Sequence, residues 1–170
     1  MLTVVSQPSS WRQGTILDRV LDLTASELIA VAAIIRLWAA AYNKGSRNLR
    51  LVTEGPYSLT RNPLYLASLI AAVGIGIGTN NLLVATILCA SFLAYYPLVV
   101  AGEEAWLAQR FGPAYDDYRS RVPRFVPRLC GYVDADEWII RPRSFRHALL
   151  DALAMLAMIP ALQVLDLAHG

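Results

Sequence analysis

The chain has 170 residues, of which 56 % are apolar and only 16 % charged, and its formal net charge is +2. Soluble domains carry roughly 25 % charged residues, and this length fits one domain. Two cysteines and two histidines argue against a disulfide framework and a zinc-ligand set, and no basic tract interleaved with aromatics points to nucleic acid.

In chain order, Met1–Val5 is too short an apolar run for a signal peptide and is interrupted by Gln7-Pro8-Ser9-Ser10. Residues 1–23 read as a polar or interfacial segment, followed by a first apolar stretch, Leu28–Tyr42, broken only by Arg36. Arg36 fits either a pocket or a snorkelling anchor. The 39 residues from Leu64 to Gly102 contain no Asp, Glu, Lys or Arg. A bilayer core takes about 20 residues per helix, so this stretch predicts a helical hairpin with spans at 64–79 and 82–101. Its turn is the uncharged polar cluster Gly78-Thr79-Asn80-Asn81. Gly74, Gly76 and Gly78 are expected to serve close helix packing, since a helix in lipid has its N–H groups already bonded. The second helix of the hairpin is expected to run from Leu82 to Arg110, roughly 43 Å at 1.5 Å per residue. It would then pass beyond the bilayer, and Phe111-Gly112-Pro113 would end it. A short helix with Tyr115 and Tyr118 on one face follows, then an extended Val122–Pro127 on the membrane surface. Residues 131–147 read as a linker and 148–170 as a last membrane helix containing Pro160.

The expected fold is therefore all-α: a polytopic integral membrane protein with about four transmembrane helices, a membrane core over 24–130 and a central hairpin. The hairpin turn carries no Lys or Arg. The loop at 43–63 carries Lys44, Arg47, Arg50 and Arg61, and the segment at 103–147 carries eight arginines. The positive-inside rule places both basic segments in the cytoplasm and the turn outside, which suits an inner-membrane protein.

Two clusters then meet at the cytoplasmic edge. One is Gly55-Pro56-Tyr57, continuing to Arg61-Asn62-Pro63-Leu64-Tyr65; the other is Glu103-Glu104-Ala105-Trp106-Leu107. Together with Phe-Gly-x-x-Tyr-x-x-Tyr and Val-Pro-Arg-Phe, this order resembles the isoprenylcysteine carboxyl methyltransferase family, related to the phospholipid N-methyltransferases. The match runs from about Leu49 to Pro127. The resemblance implies a membrane methyltransferase that takes S-adenosylmethionine in a cytoplasm-facing pocket and a lipophilic small molecule or lipid from the bilayer. It assigns cofactor contacts to Leu49, Arg50, Leu51, Val52, Tyr57, Asn62, Pro63, Leu64, Tyr65 and Glu103, and catalytic roles to Arg61 and Glu104.

Residue chemistry fits these assignments. Glu103 can pair with the cofactor ammonium, because a carboxylate near lipid needs a partner. Tyrosine faces can meet its cationic part, although tyrosines also anchor helices at interfaces. Asn62-Pro63 makes a favoured helix start, whose N-terminus suits a carboxylate. Arg61 can hold an acceptor carboxylate, brace Glu103 or anchor the helix end. The family more often has His where this chain has Asn62, which cannot titrate near neutral pH. A carboxylate acceptor needs no general base, so O-methylation is slightly favoured over N-methylation. The prenylcysteine branch has an arginine one turn before the Glu-Glu pair where this chain has Val99-Val100, so a prenylated protein is not the implied acceptor. The alternative from another class is a non-catalytic membrane partner with the same fold.

Overall fold

The computed structural model describes residues 10–11, 13–43, 50–136 and 142–169. Its described residues form helices and no strand: α1 (Ile16–Asn43), α2 (Pro56–Leu59), α3 (Pro63–Gly78), α4 (Leu82–Phe111), α5 (Pro113–Arg121) and α6 (Pro142–His169). Helix α1 packs on α3 and α6, and α3 also packs on α4 and α6.

Small residues let these helices approach. The buried stripe of α1 is Ala25, Ile29, Ala32, Ala33, Ala39 and Ala40, and α3 answers with Ala67, Ala71 and Gly74. The glycine run has the packing role expected of it, but towards three different helices. A Cβ on Gly74 would stand 3.0 Å from the Ala25 carbonyl and the Ile29 side chain of α1. One on Gly76 would stand 2.9 Å from Ala85 Cα of α4, and one on Gly78 would stand 2.8 Å from Leu162 of α6. Dispersion between backbones at such range is what holds helices together where lipid removes the hydrophobic incentive.

The hairpin is observed as expected, with the turn at 79–81. Asn81 caps α4 by accepting from the Leu83 and Val84 N–H groups at 3.0 and 3.2 Å. Asn80 takes a left-handed conformation, φ 50°, which Asn tolerates better than most residues. Its side chain donates to Asp18 at 3.2 Å. Asp18 also accepts from Trp11 Nε1 at 3.1 Å and from the Gly14 N–H at 2.8 Å, and it is 4 % exposed. One buried carboxylate thus ties the start of α1 to the hairpin turn. Asp18→Ala leaves three donors without this acceptor, at about 1–3 kcal/mol for each one that stays unpaired. Unfolding in detergent should show a loss of several kcal/mol, with Asp18→Asn intermediate.

Among the described residues, two helices are long and apolar enough to cross a membrane: α4, and the Phe145–Val164 part of α6. On α4 only Val100 is buried, while Leu82, Leu83, Leu93 and Leu98 are half or more exposed. So large an apolar surface without a protein cover belongs against lipid. Helix α3 has 16 residues, short of a full span, and α1 carries Asp18, Arg19, Asp22, Glu27 and Arg36. The count of four spans is thus not reached on length and composition. Helix α6 begins at Pro142, inside the stretch read as linker. Arg36 donates to Ser68 Oγ of α3 at 3.2 Å and pairs with Asp151 of α6 at 3.4 Å, joining three helices.

Candidate functional site

The N-terminal end of α3 and the C-terminal half of α4 meet, as the hairpin requires, and residues 50–57 border the same cleft. The cleft between them is lined by Arg50, Leu51, Val52, Tyr57, Arg61, Asn62, Pro63, Leu64, Tyr65 and Glu103. All but two of the residues singled out from the sequence therefore border one cavity. Leu49 lies outside the described residues, and Glu104 faces elsewhere.

The floor is set by an aromatic cluster. Val52 and Tyr57 pack with Ala39 and Tyr42 of α1, and Leu64 packs against them. Gly55 makes this possible. Its φ of +60° suits a residue without a side chain, and a Cβ there would lie 2.4 Å from the Tyr42 ring. The Gly55 N–H donates to the Val133 carbonyl at 2.7 Å, and Ser58 Oγ accepts from the Val133 N–H at 3.1 Å, so the tail after α5 ties down this turn. Tyr42 O–H donates to Asp134 of the same tail.

Glu103 and Glu104 are adjacent on α4 but serve opposite faces. Glu103 lines the cleft, where its Oε2 accepts from the Tyr65 hydroxyl at 2.8 Å. Glu104 lies behind the wall. Its carboxylate meets Arg124 Nε at 3.1 Å, Asn62 Nδ2 at 3.2 Å and Arg61 Nη2 at 3.5 Å. The side chains of Glu104 and Arg61 are only 17 % and 14 % exposed, so this pairing is largely withdrawn from water. Arg61 therefore braces Glu104 rather than Glu103.

Asn62 stands at the N-cap position of α3, with Pro63 at the first helical position, but its side chain makes no capping bond. It spends its amide donor on Glu104 and on the Arg124 carbonyl at 3.0 Å. The loop after α5 explains this. Arg61 N–H donates to the Pro123 carbonyl, Arg128 N–H to the Leu59 carbonyl, and Thr60 Oγ1 to the Arg124 carbonyl. Residues 122–127, expected to lie extended on the membrane surface, are laced with Arg128 to 59–62 by these bonds.

Asn43, Trp106, Leu107, Phe111 and Tyr118 also line the cleft; the sequence reading placed Trp106 and Leu107 in the second cluster but gave none of the five a cofactor contact. A signal was available. Glu103, Trp106, Leu107 and Phe111 recur at helical spacing, so one face of α4 carries them all. Tyr118 packs under the cleft from α5, with Tyr115 and Val122. Its hydroxyl donates to the Tyr57 carbonyl at 2.8 Å, and burial pushes its pKa well above the usual 10.0. The unfolded chain ionises first as pH rises. The stabilisation is therefore complete below about pH 10 and is lost as pH climbs toward the folded value. Unfolding midpoints at pH 8 and pH 11 should fall further for the wild type than for Tyr118→Phe, by up to about 1.4 kcal/mol per pH unit.

The family model for phospholipid methyltransferase matches residues 25–114, from α1 through the first residues of α5. The chain is 37 % identical over 141 residues to the cobalt-zinc-cadmium resistance protein CzcN of Cupriavidus metallidurans, covering 83 % of this chain and 65 % of that protein. It is 36 % identical over 141 residues to the nickel-cobalt-cadmium resistance protein NccN of Alcaligenes xylosoxydans xylosoxydans, covering 83 % of this chain and 66 % of that one. It thus spans just under two thirds of the length of both. The protein-S-isoprenylcysteine O-methyltransferase of Schizosaccharomyces pombe is 29 % identical over 87 residues, 51 % of this chain and 37 % of that protein. No solved structure matches significantly. The matched span holds the hairpin, both clusters and most of the cleft wall, and on it the chain belongs to the phospholipid methyltransferase family.

Proposed function

We propose that the chain is an S-adenosylmethionine-dependent methyltransferase of the cytoplasmic membrane, acting on a lipophilic small molecule or lipid from the bilayer. One observation carries this reading. Glu103, Tyr57, Tyr65 and the start of α3 border a single cleft at the end of an apolar hairpin. The donor set fits the cofactor. Glu103 takes the ammonium, the α3 N-terminus and Arg50 suit the carboxylate, and Tyr57, Trp106 and Tyr118 offer aromatic faces. When bound, the cofactor supplies a methyl group already activated on a sulfonium. The protein then contributes alignment and exclusion of water. Tyr65 orients Glu103 through its hydroxyl, while Arg61, Asn62 and Arg124 hold Glu104 behind the wall.

The cleft is narrow, with about 70 Å³ of open space. Admitting a nucleoside therefore requires the cleft to widen. With Asn62 in place of a titrating histidine, the site suits an acceptor that is already nucleophilic, so carboxylate O-methylation stands ahead of amine N-methylation. Saturable binding of S-adenosylhomocysteine to the purified chain is expected, and its absence at millimolar ligand would sink the proposal.

The names of two relatives favour a second reading, a part in metal resistance. The two readings separate in cells. If a Glu103→Gln chain restores cobalt, zinc or cadmium tolerance as well as wild type, that role does not need the cleft's chemistry.

A further inference from the structure

A second cavity lies behind the cleft wall, and Arg61 lines both. It offers about 700 Å³ between one face of α4, at Ala101, Ala105 and Ala108, and the α5 region bearing Tyr115, Arg119 and Arg124. Three guanidiniums border it against two carboxylates, Glu104 and Asp116. Glu104 is shared by Arg61 and Arg124, and Arg119 holds Asp116 in a pair more than half exposed on both sides. Such an exposed pair contributes little and rearranges readily. The cavity therefore carries one positive charge in excess.

It also holds unspent donors. Tyr115 is 1 % exposed, and its buried hydroxyl has no hydrogen-bond partner among the described residues; neither has the buried Arg61 Nε. Tyr115 lines this cavity together with Glu104, Arg61, Arg119 and Arg124. A buried donor left unpaired is unfavourable, so two of them in the wall of a positively charged cavity suit an anionic acceptor.

Depth identifies the anion. From Leu82 to Val100, α4 rises roughly 28 Å, close to the hydrocarbon thickness of about 30 Å. With α4 entering the bilayer at Leu82, Ala101 to Ala108 would reach the headgroup layer, where the anions within reach are lipid phosphates. A phosphodiester carries one negative charge, matching the excess, and arginine forks fit its oxygens. We propose that this cavity binds the phosphate of an anionic phospholipid of the phosphatidylglycerol type, held by Arg61, Arg119, Arg124 and the Tyr115 hydroxyl. The site goes beyond the methyl-donor reading and does not depend on it.

The test measures binding of phosphatidylglycerol, diacylglycerol and inorganic phosphate to the purified full chain in detergent. Saturable binding of phosphatidylglycerol is expected, with none of diacylglycerol. Arg124→Gln should weaken it at least about tenfold, the scale of one charge-assisted hydrogen bond. Tyr115→Phe should weaken it about three- to tenfold while the unfolding midpoint holds or rises, because the hydroxyl removed was unpaired. Phosphatidylglycerol bound no better than diacylglycerol, or wild-type affinity in Tyr115→Phe, overturns the proposal. Displacement by inorganic phosphate at equal concentration also overturns it and assigns a free-anion site instead. If Arg124→Gln does not fold, Tyr115→Phe decides alone. Binding of S-adenosylhomocysteine, measured on the same samples, reports separately on the cleft.

Discussion

Glu103→Gln should weaken S-adenosylhomocysteine binding by about ten- to a hundredfold, with the protein still folded. Glutamine keeps the side-chain length and can still accept from the Tyr65 hydroxyl, but it loses the charge that would meet the ligand's ammonium. Hydrogen bonds to charged groups contribute about 1.5–3 kcal/mol, which sets this range. Tyr65→Phe should weaken binding less, since it frees the carboxylate to turn without removing its charge. Glu104→Gln should behave differently. Glu104 is held by two arginines and Asn62 on the far side of the wall. Its neutralisation leaves the buried Arg61 guanidinium without its counter-charge, so stability should fall by about 3–5 kcal/mol. Isothermal titration and detergent unfolding of the three variants distinguish these outcomes. If Glu103→Gln binds as wild type does, Glu103 has no part in holding the ligand.

Gly55→Ala should be the most damaging single methyl in the chain. Its φ of +60° with ψ of −133° lies where residues with a side chain are strained, at about 1–3 kcal/mol. The added Cβ would also overlap the Tyr42 ring at 2.4 Å, and overpacking adds about 1–3 kcal/mol. Relief requires the Tyr42 ring to leave the cluster that floors the cleft. Both stability and ligand affinity should therefore fall, by about 2–6 kcal/mol in the first. Tyr42→Ala in the same chain should recover part of the loss, because it removes the overlap but not the strained backbone. A Gly55→Ala chain with an unchanged unfolding midpoint contradicts this account of the floor.

Local chemistry made much of the fold legible. The uncharged 39-residue stretch with a polar turn gives the hairpin, and Phe111-Gly112-Pro113 gives the end of α4, because each signal acts on its own neighbours in the chain. The small residues of α3 pointed to close packing for the same reason. Long-range partners were not legible. Asn62 reads as an N-cap, yet Glu104 lies 42 residues away in sequence and its buried charge takes the amide instead. Arg61 was given three roles, and only folding decided that its partner is Glu104. Helical spacing would have found Trp106, Leu107 and Phe111. Nothing local to Gly55 shows that the Tyr42 ring, 13 residues upstream, stands against it. Length and composition single out α4 and α6 for crossing and not α1, whose Asp18, Arg19, Asp22 and Glu27 precede the apolar run Leu28–Tyr42.

The central claim is that this cleft presents a methyl donor to a membrane-borne acceptor. The most direct measurement is transfer of a labelled methyl group from S-adenosylmethionine into a lipid extract by the purified, membrane-reconstituted chain, beside its Glu103→Gln variant. Label should enter the organic phase with the wild type and fall at least tenfold with the variant. Base-labile label would mark a methyl ester and base-stable label an N-methyl product. No incorporation by a folded wild-type chain, or equal incorporation by both chains, would contradict the assignment of the cleft.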